Sequence, residues 1–163
     1  MAILKIVEYP AGVLARVGAP VEHFDAGLEK LAADMFETMY AAEGVGLAAP
    51  QVDLSLRFFV VDCEGVRLAA ANPEIVSREG EQAGEEGCLS VGKIHAPLKR
   101  PERVVLRAQD LKGEFFEREA EGLLARCFVH ETNHCDGQLF IDHLTPLKRD
   151  MVKKRFQKMK KRR

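Results

Sequence analysis

Residues 127–137, CFVHETNHCDG, restrict the fold of this chain more than any other stretch. His130 and His134 stand four positions apart, which on an α-helix puts them about 40° apart around the axis and about 6 Å along it. Two imidazoles so placed can reach one metal ion. Glu131 points to the side of that pair, where it reaches a water on such an ion more readily than the ion itself. A helix is therefore required here. A hydrolytic metal site takes three protein ligands and leaves one position open, so the fold must also deliver a third ligand to this helix. The pentapeptide alone leaves a metal site and an accidental match both open.

The third ligand narrows the choice. No glutamate follows Glu131, which removes the ligand of a thermolysin-like site, and Phe140 stands where a metzincin carries its last histidine. Of the four cysteines, Cys127 shares the helix face of the histidines but lies about 10 Å along the axis from His134, and Cys135 points about 100° away from it. Cys127 is expected to be a packing residue, and Cys135 to pack or to support a ligand from behind. Cys63, in VVDCEG, has no special neighbours in sequence. Cys88, in EEGCLS, follows a glycine in a turn-like stretch where backbone can approach closely. Glu85 and Glu86 beside it disfavour a free thiolate, so a cysteine nucleophile is poorly supported, whereas a divalent ion would deprotonate the thiol outright. Cys88, His130 and His134, with a water in the fourth position, form the best constellation.

The surrounding chain reads as one α+β domain. Leu28, Leu31, Ala32, Met35, Phe36, Met39 and Tyr40 follow the rhythm of an amphipathic helix that ends before Gly44 and Gly46. The segments LRFFVVD, VRLAAANP, ERVVLRAQD and GEFFEREA read as antiparallel strands separated by turn residues. A second helix is expected from about Glu121 to Asp136, capped by Gly137, and a third from Thr145-Pro146. Helix, sheet, then helix implies antiparallel β-sheets packed around the central His-Glu-x-x-His helix, with an N-terminal and a C-terminal helix. No apolar run approaches the roughly 20 residues of a membrane span, and the first residues lack the pattern of a signal peptide. A cytoplasmic protein with reduced cysteines and no membrane partner is expected. The net charge of −1 conceals an asymmetry: residues 148–163 carry ten Lys or Arg and one Asp, so the body 1–147 stands at −10 against a tail of +9.

Three separated segments, GVGLAAPQ at 44–51, EGCLS at 86–90 and HETNH at 130–134, resemble the peptide deformylase family in order and spacing. The likeness extends to DMFETMYAAEG, to NPE at 72–74 and to LFIDHLTPLKRD. It implies hydrolysis of the formyl group from N-formylmethionyl chains, with release of formate. It implies that Cys88, His130 and His134 bind the metal and that Glu131 serves as general base and then acid. The side-chain amide of Gln51 and the backbone N–H of Leu89 would donate to the oxyanion, and backbone near Val45 and Gly46 would pair with the substrate peptide. On ligand softness alone two imidazoles and a thiolate argue for Zn2+. The resemblance implies Fe2+, with Zn2+, Ni2+ or Co2+ as substitutes, and an oxygen-sensitive iron form in which Cys88 is the point of oxidation.

The chain departs from the family pattern at Asn133, where Asp is usual, at Val129, where Gln is usual, and at Gly92, where Pro is usual. Loss of the carboxylate at 133 is expected to alter ligand orientation and metal affinity, and Gly92 to loosen the loop VGKIHAPLKR, in which His95 lies near the substrate backbone. Some bacterial deformylases dock on the ribosome through a basic C-terminal helix, and residues 148–163 look capable of the same. Two other readings stand beside this one: a related metallohydrolase with a changed substrate, and a catalytically silent ribosome- or RNA-binding protein of the same fold. The intact Gln51 and Glu131 argue against the second.

Overall fold

The structure, a computed structural model, describes residues 2–162. The first helix, α1 (Ala26–Ala41), starts where Asp25 accepts a hydrogen bond from the Leu28 N–H at 3.2 Å. It buries Leu28, Ala32, Met35, Phe36 and Met39, the stripe expected from their spacing. A five-stranded antiparallel sheet follows, built from β1 (Gly46–Ala48), β2 (Phe58–Cys63), β3 (Val66–Glu79), β6 (Arg103–Gln109) and β7 (Phe115–Glu121), in the order β1-β2-β3-β6-β7. Between β3 and β6 the chain forms a two-stranded ribbon, β4 (Glu85–Glu86) with β5 (Ala96–Pro97).

β2 explains how the sheet carries two layers. Its alternate residues Phe58 and Val60 pack with Met35 and Met39 of α1, while Phe59, Val61 and Cys63 face the opposite side. A run of buried apolar residues results. The second helix, α2 (Gly122–Cys135), covers that opposite side with Leu124, Ala125 and Phe128, and holds the His-Glu-x-x-His segment against the sheet. The fold is thus α+β, as the order of elements implied. One boundary differs from expectation: Asn72-Pro73 reads as a strand end, yet β3 runs through it to Glu79. The register shifts there, with Asn72 at φ 51° and its side chain bonded to Val21 and Gln109, so the turn residues make a bulge inside a long strand.

The third helix, α3 (Pro146–Lys161), begins with the Thr145 hydroxyl accepting from the Lys148 N–H. Most of its surface is exposed and cationic. Val152 and Phe156 are buried, however, in a cluster with Val91, Ile94, Phe140 and Ile141, which places the helix against the loop that carries Cys88. Gly92 is decisive in that loop. It holds φ +62°, which proline cannot adopt, and an added Cβ would lie 2.9 Å from the Phe156 ring. Val91 is fully buried and Ile94 4% exposed, so this end of the loop is packed under α3, while Lys93 and His95 are exposed.

Candidate metal centre

α2 presents Arg126, His130 and Asn133 as one stripe, and the loop 86–90 crosses in front of it. His134 Nε2 lies 3.2 Å from His130 Nε2 and 3.4 Å from Cys88 Sγ, and the three ligand atoms all fall within 4.8 Å of one another. Tetrahedral coordination at ordinary Zn–N and Zn–S lengths requires separations of about 3.3 Å and about 3.6 Å. The donor set fits a divalent ion. His130 Nδ1 is 2.6 Å from Glu86 Oε2, so this nitrogen holds one proton, and loss of the other would leave the Nε2 lone pair facing His134 and Cys88. Two ring nitrogens and a sulfur converging at these distances, all buried, are the arrangement a shared cation resolves.

Burial and the neighbouring His130 hold His134 well below the usual histidine range, which keeps it available as a ligand. His130 is the opposite case. Burial pulls its pKa down, but Glu131, Cys88 and Glu86 outweigh that and raise it well above the ordinary value. Metal uptake must therefore displace a proton from this site.

Glu86 is the residue whose part in the site sequence reading missed. Expected only to oppose a free thiolate at Cys88, it turns inward and is 4% exposed. Arg100 grips it with Nε at 2.9 Å and Nη2 at 2.7 Å, Arg126 Nη1 reaches Oε1 at 3.1 Å, and His130 completes the set. Burial pushes its carboxyl up, yet the hydrogen bonds from Arg100 and His130 prevail and hold it well below the usual carboxylate range. Arg100 Nη1 donates to Asn133 Oδ1 at 2.9 Å. The buried carboxylate that orients a ligand is thus Glu86, and Asn133 anchors an arginine that holds it.

Glu131 is 5% exposed, with Oε1 buried and unpartnered among the described residues. Burial, then the charge of Glu86, raises its pKa, and the net value is about 7 with His130 opposing. Gly46 faces it so closely that a Cβ there would lie 2.5 Å from Oε2. Gln51 is 2% exposed and is fixed at both ends: Oε1 accepts from the Ala48 N–H at 3.0 Å, and Nε2 points to Ser90 Oγ at 3.2 Å and Cys88 Sγ at 3.6 Å. Its amide donor is thereby aimed at the metal loop. Leu89, Val45 and Gly46 join these residues around a cleft of about 240 Å³. β1 forms one edge of the sheet, and Val45 is 45% exposed beside it.

Cys135 is fully buried and Cys127 is 6% exposed on the far side of His130 from His134, as expected of packing residues. Cys63, without special neighbours in sequence, meets one in space. Its sulfur lies 3.7 Å from that of Cys127.

The profile of the family described as polypeptide deformylase matches residues 3–150. The chain belongs to that family. It is 47% identical to the peptide deformylase of Acidobacterium capsulatum over 99% of this chain and 98% of that protein. With the Xylella fastidiosa peptide deformylase the identity is 48%, over 99% of both chains. Among solved structures, a peptide deformylase from Legionella pneumophila superposes with a TM-score of 0.94 at 48% identity, covering 98% of this chain and 96% of the other. The Ehrlichia chaffeensis peptide deformylase in complex with actinonin gives 0.91 at 36% identity, covering 99% and 98%. Deformylases are metal-dependent hydrolases that act on formylated peptides, and no helix among the described residues is long and apolar enough to cross a membrane.

Proposed function

We propose that this deformylase removes formyl groups from N-formylmethionyl nascent chains in the cytoplasm, with Cys88, His130 and His134 holding Fe2+ in the cell. The observation that carries this reading is the convergence of those three ligand atoms, beside a buried Glu131 with a free oxygen and a Gln51 amide aimed at the same point. A bound divalent ion would supply Lewis acidity, lowering the pKa of water and polarising the formyl carbonyl. The chain's own residues handle the proton and the charge. Glu131 takes a proton from the attacking water and delivers it to the departing amine nitrogen, a role open to a buried carboxylate with an unpartnered oxygen beside the converging ligands. Gln51 Nε2 and the Leu89 N–H donate to the charge that develops on the formyl oxygen. The exposed edge of β1 near Val45 and Gly46 receives the peptide backbone as an added strand.

Formate release from a formyl-Met-Ala peptide by protein purified without oxygen, with metal analysis on the same sample, tests the reading. Glu131→Ala should lower the rate by on the order of 10²–10⁴ and keep the metal; an unchanged rate would rule out this role.

The basic segment 148–163 is assigned to ribosomal RNA, supported by its charge and by the exposure of Lys154, Arg155, Lys158 and Lys161 along α3. Deletion is a poor test, because it would also remove the buried Val152 and Phe156. Replacing those four cations by Gln should weaken ribosome binding at low salt and flatten its salt dependence, with formyl-peptide turnover unchanged. Equal ribosome affinity for both proteins would sink the assignment.

A further inference from the structure

Cys63 and Cys127 are outside the metal centre, yet their sulfurs stand 3.7 Å apart without a bond between them. Cys63 ends β2, and Cys127 lies on α2 nearly one turn before His130. They are 4% and 6% exposed. Cys127 also forms part of the cleft wall, so a small molecule in the cleft meets it first and Cys63 stands behind it.

We propose that this pair is an oxidative modification site, at which a peroxide entering through the cleft converts the two thiols into a disulfide that ties α2 to the end of β2. In the first step the Cys127 sulfur attacks one peroxide oxygen and the O–O bond breaks. The thiol proton leaves with the departing oxygen as water, and Cys127 becomes a sulfenic acid. In the second step the Cys63 sulfur attacks the Cys127 sulfur, the S–O bond breaks, and the hydroxyl leaves as water with the Cys63 proton. Two thiols are oxidised by two electrons, and one hydrogen peroxide is reduced to two waters. Bonding at about 2.05 Å requires each sulfur to move by about 0.8 Å.

Burial pushes both thiols up; Cys63, Glu131 and Glu86 add to it for Cys127, and for Cys63 the hydrogen bond from Cys127 opposes it while Glu64 and Asp62 add to it. Thiolate is scarce, so the bridge forms more slowly than at an exposed cysteine and under sustained peroxide. Its distinguishing property is the partner. Oxidised Cys127 has a second sulfur at hand, which diverts it from the irreversible sulfinic stage.

The test treats the metal-loaded protein with hydrogen peroxide, alkylates the unfolded product and maps its peptides by mass spectrometry. The expected product joins the peptides of Cys63 and Cys127, is released by dithiothreitol and unfolds at a higher temperature than the reduced protein. In Cys63→Val, and in Cys63→Ala should valine disturb the fold, Cys127 should proceed instead to sulfinic acid. Full alkylation of both cysteines after Cys88 has been oxidised would overturn the proposal. So would sulfinic acid at Cys127 forming equally fast with and without Cys63, or bridges through other cysteines. None of these readouts depends on deformylase activity.

Discussion

Glycine at position 46 is a condition for the glutamate opposite it. Glu131 Oε2 occupies the space where a side chain at position 46 would begin, 2.5 Å from an added Cβ. Gly46→Ala must move either the β1 backbone or the carboxylate. Because Glu131 is not a ligand, turnover should fall by at least tenfold while metal content stays at the level of the parent, measured by formate release and metal analysis. This contact is invisible in GVGLAAPQ, where Gly46 reads as backbone near the substrate and gives no hint of a glutamate packed against it. The three residues whose donor atoms converge were more legible, since spacing on one helix and elimination among four cysteines single them out as candidates. Glu86 was not, because its meaning depends on Arg100 and Arg126, 14 and 40 residues away in sequence.

At the scale of elements, α2 works through the polar stripe Arg126, His130 and Asn133, which meets Glu86 and Arg100 from the loops. Glu86 has a folded-state pKa below its unfolded one. Its contribution to stability is complete above the unfolded value and declines as pH falls from about 4.3 toward the folded value. Acid unfolding of the wild type should therefore be steeper below about pH 4.3 than that of Glu86→Gln, followed by circular dichroism. The same variant loosens the hold on His130, and chelator competition should register a loss of metal affinity of about 10–100-fold. Asn133→Asp acts in the opposite direction. It adds a negative charge to a buried seam that sets two arginines against one carboxylate, so it should slow metal loss to a chelator. The α-helices were readable from periodicity and caps; the long β3 was not, because Asn72-Pro73 has the chemistry of a turn and only the pairing with β6 keeps it in the sheet.

Over the whole molecule, the basic tail is two things at once. Its cations are exposed, but Phe156 is fully buried against Val91 and Gly92, directly behind the loop that carries Cys88 and Leu89. Phe156→Ala should cost about 3–5 kcal/mol of stability and lower Tm by on the order of 10 °C in thermal unfolding. A tail serving only as a charged arm would lose almost nothing. By itself the sequence determined the α+β class, the three helices, the candidate trio Cys88, His130 and His134 and the charge asymmetry, because each rests on local periodicity, residue type or composition. Tertiary structure alone decided that Glu86 holds His130, that Gly46 makes room for Glu131, that Cys63 meets Cys127 and that α3 braces the metal loop. Those are contacts between residues far apart along the chain, and short-range spacing carries no information about which distant side chains the packed core brings together.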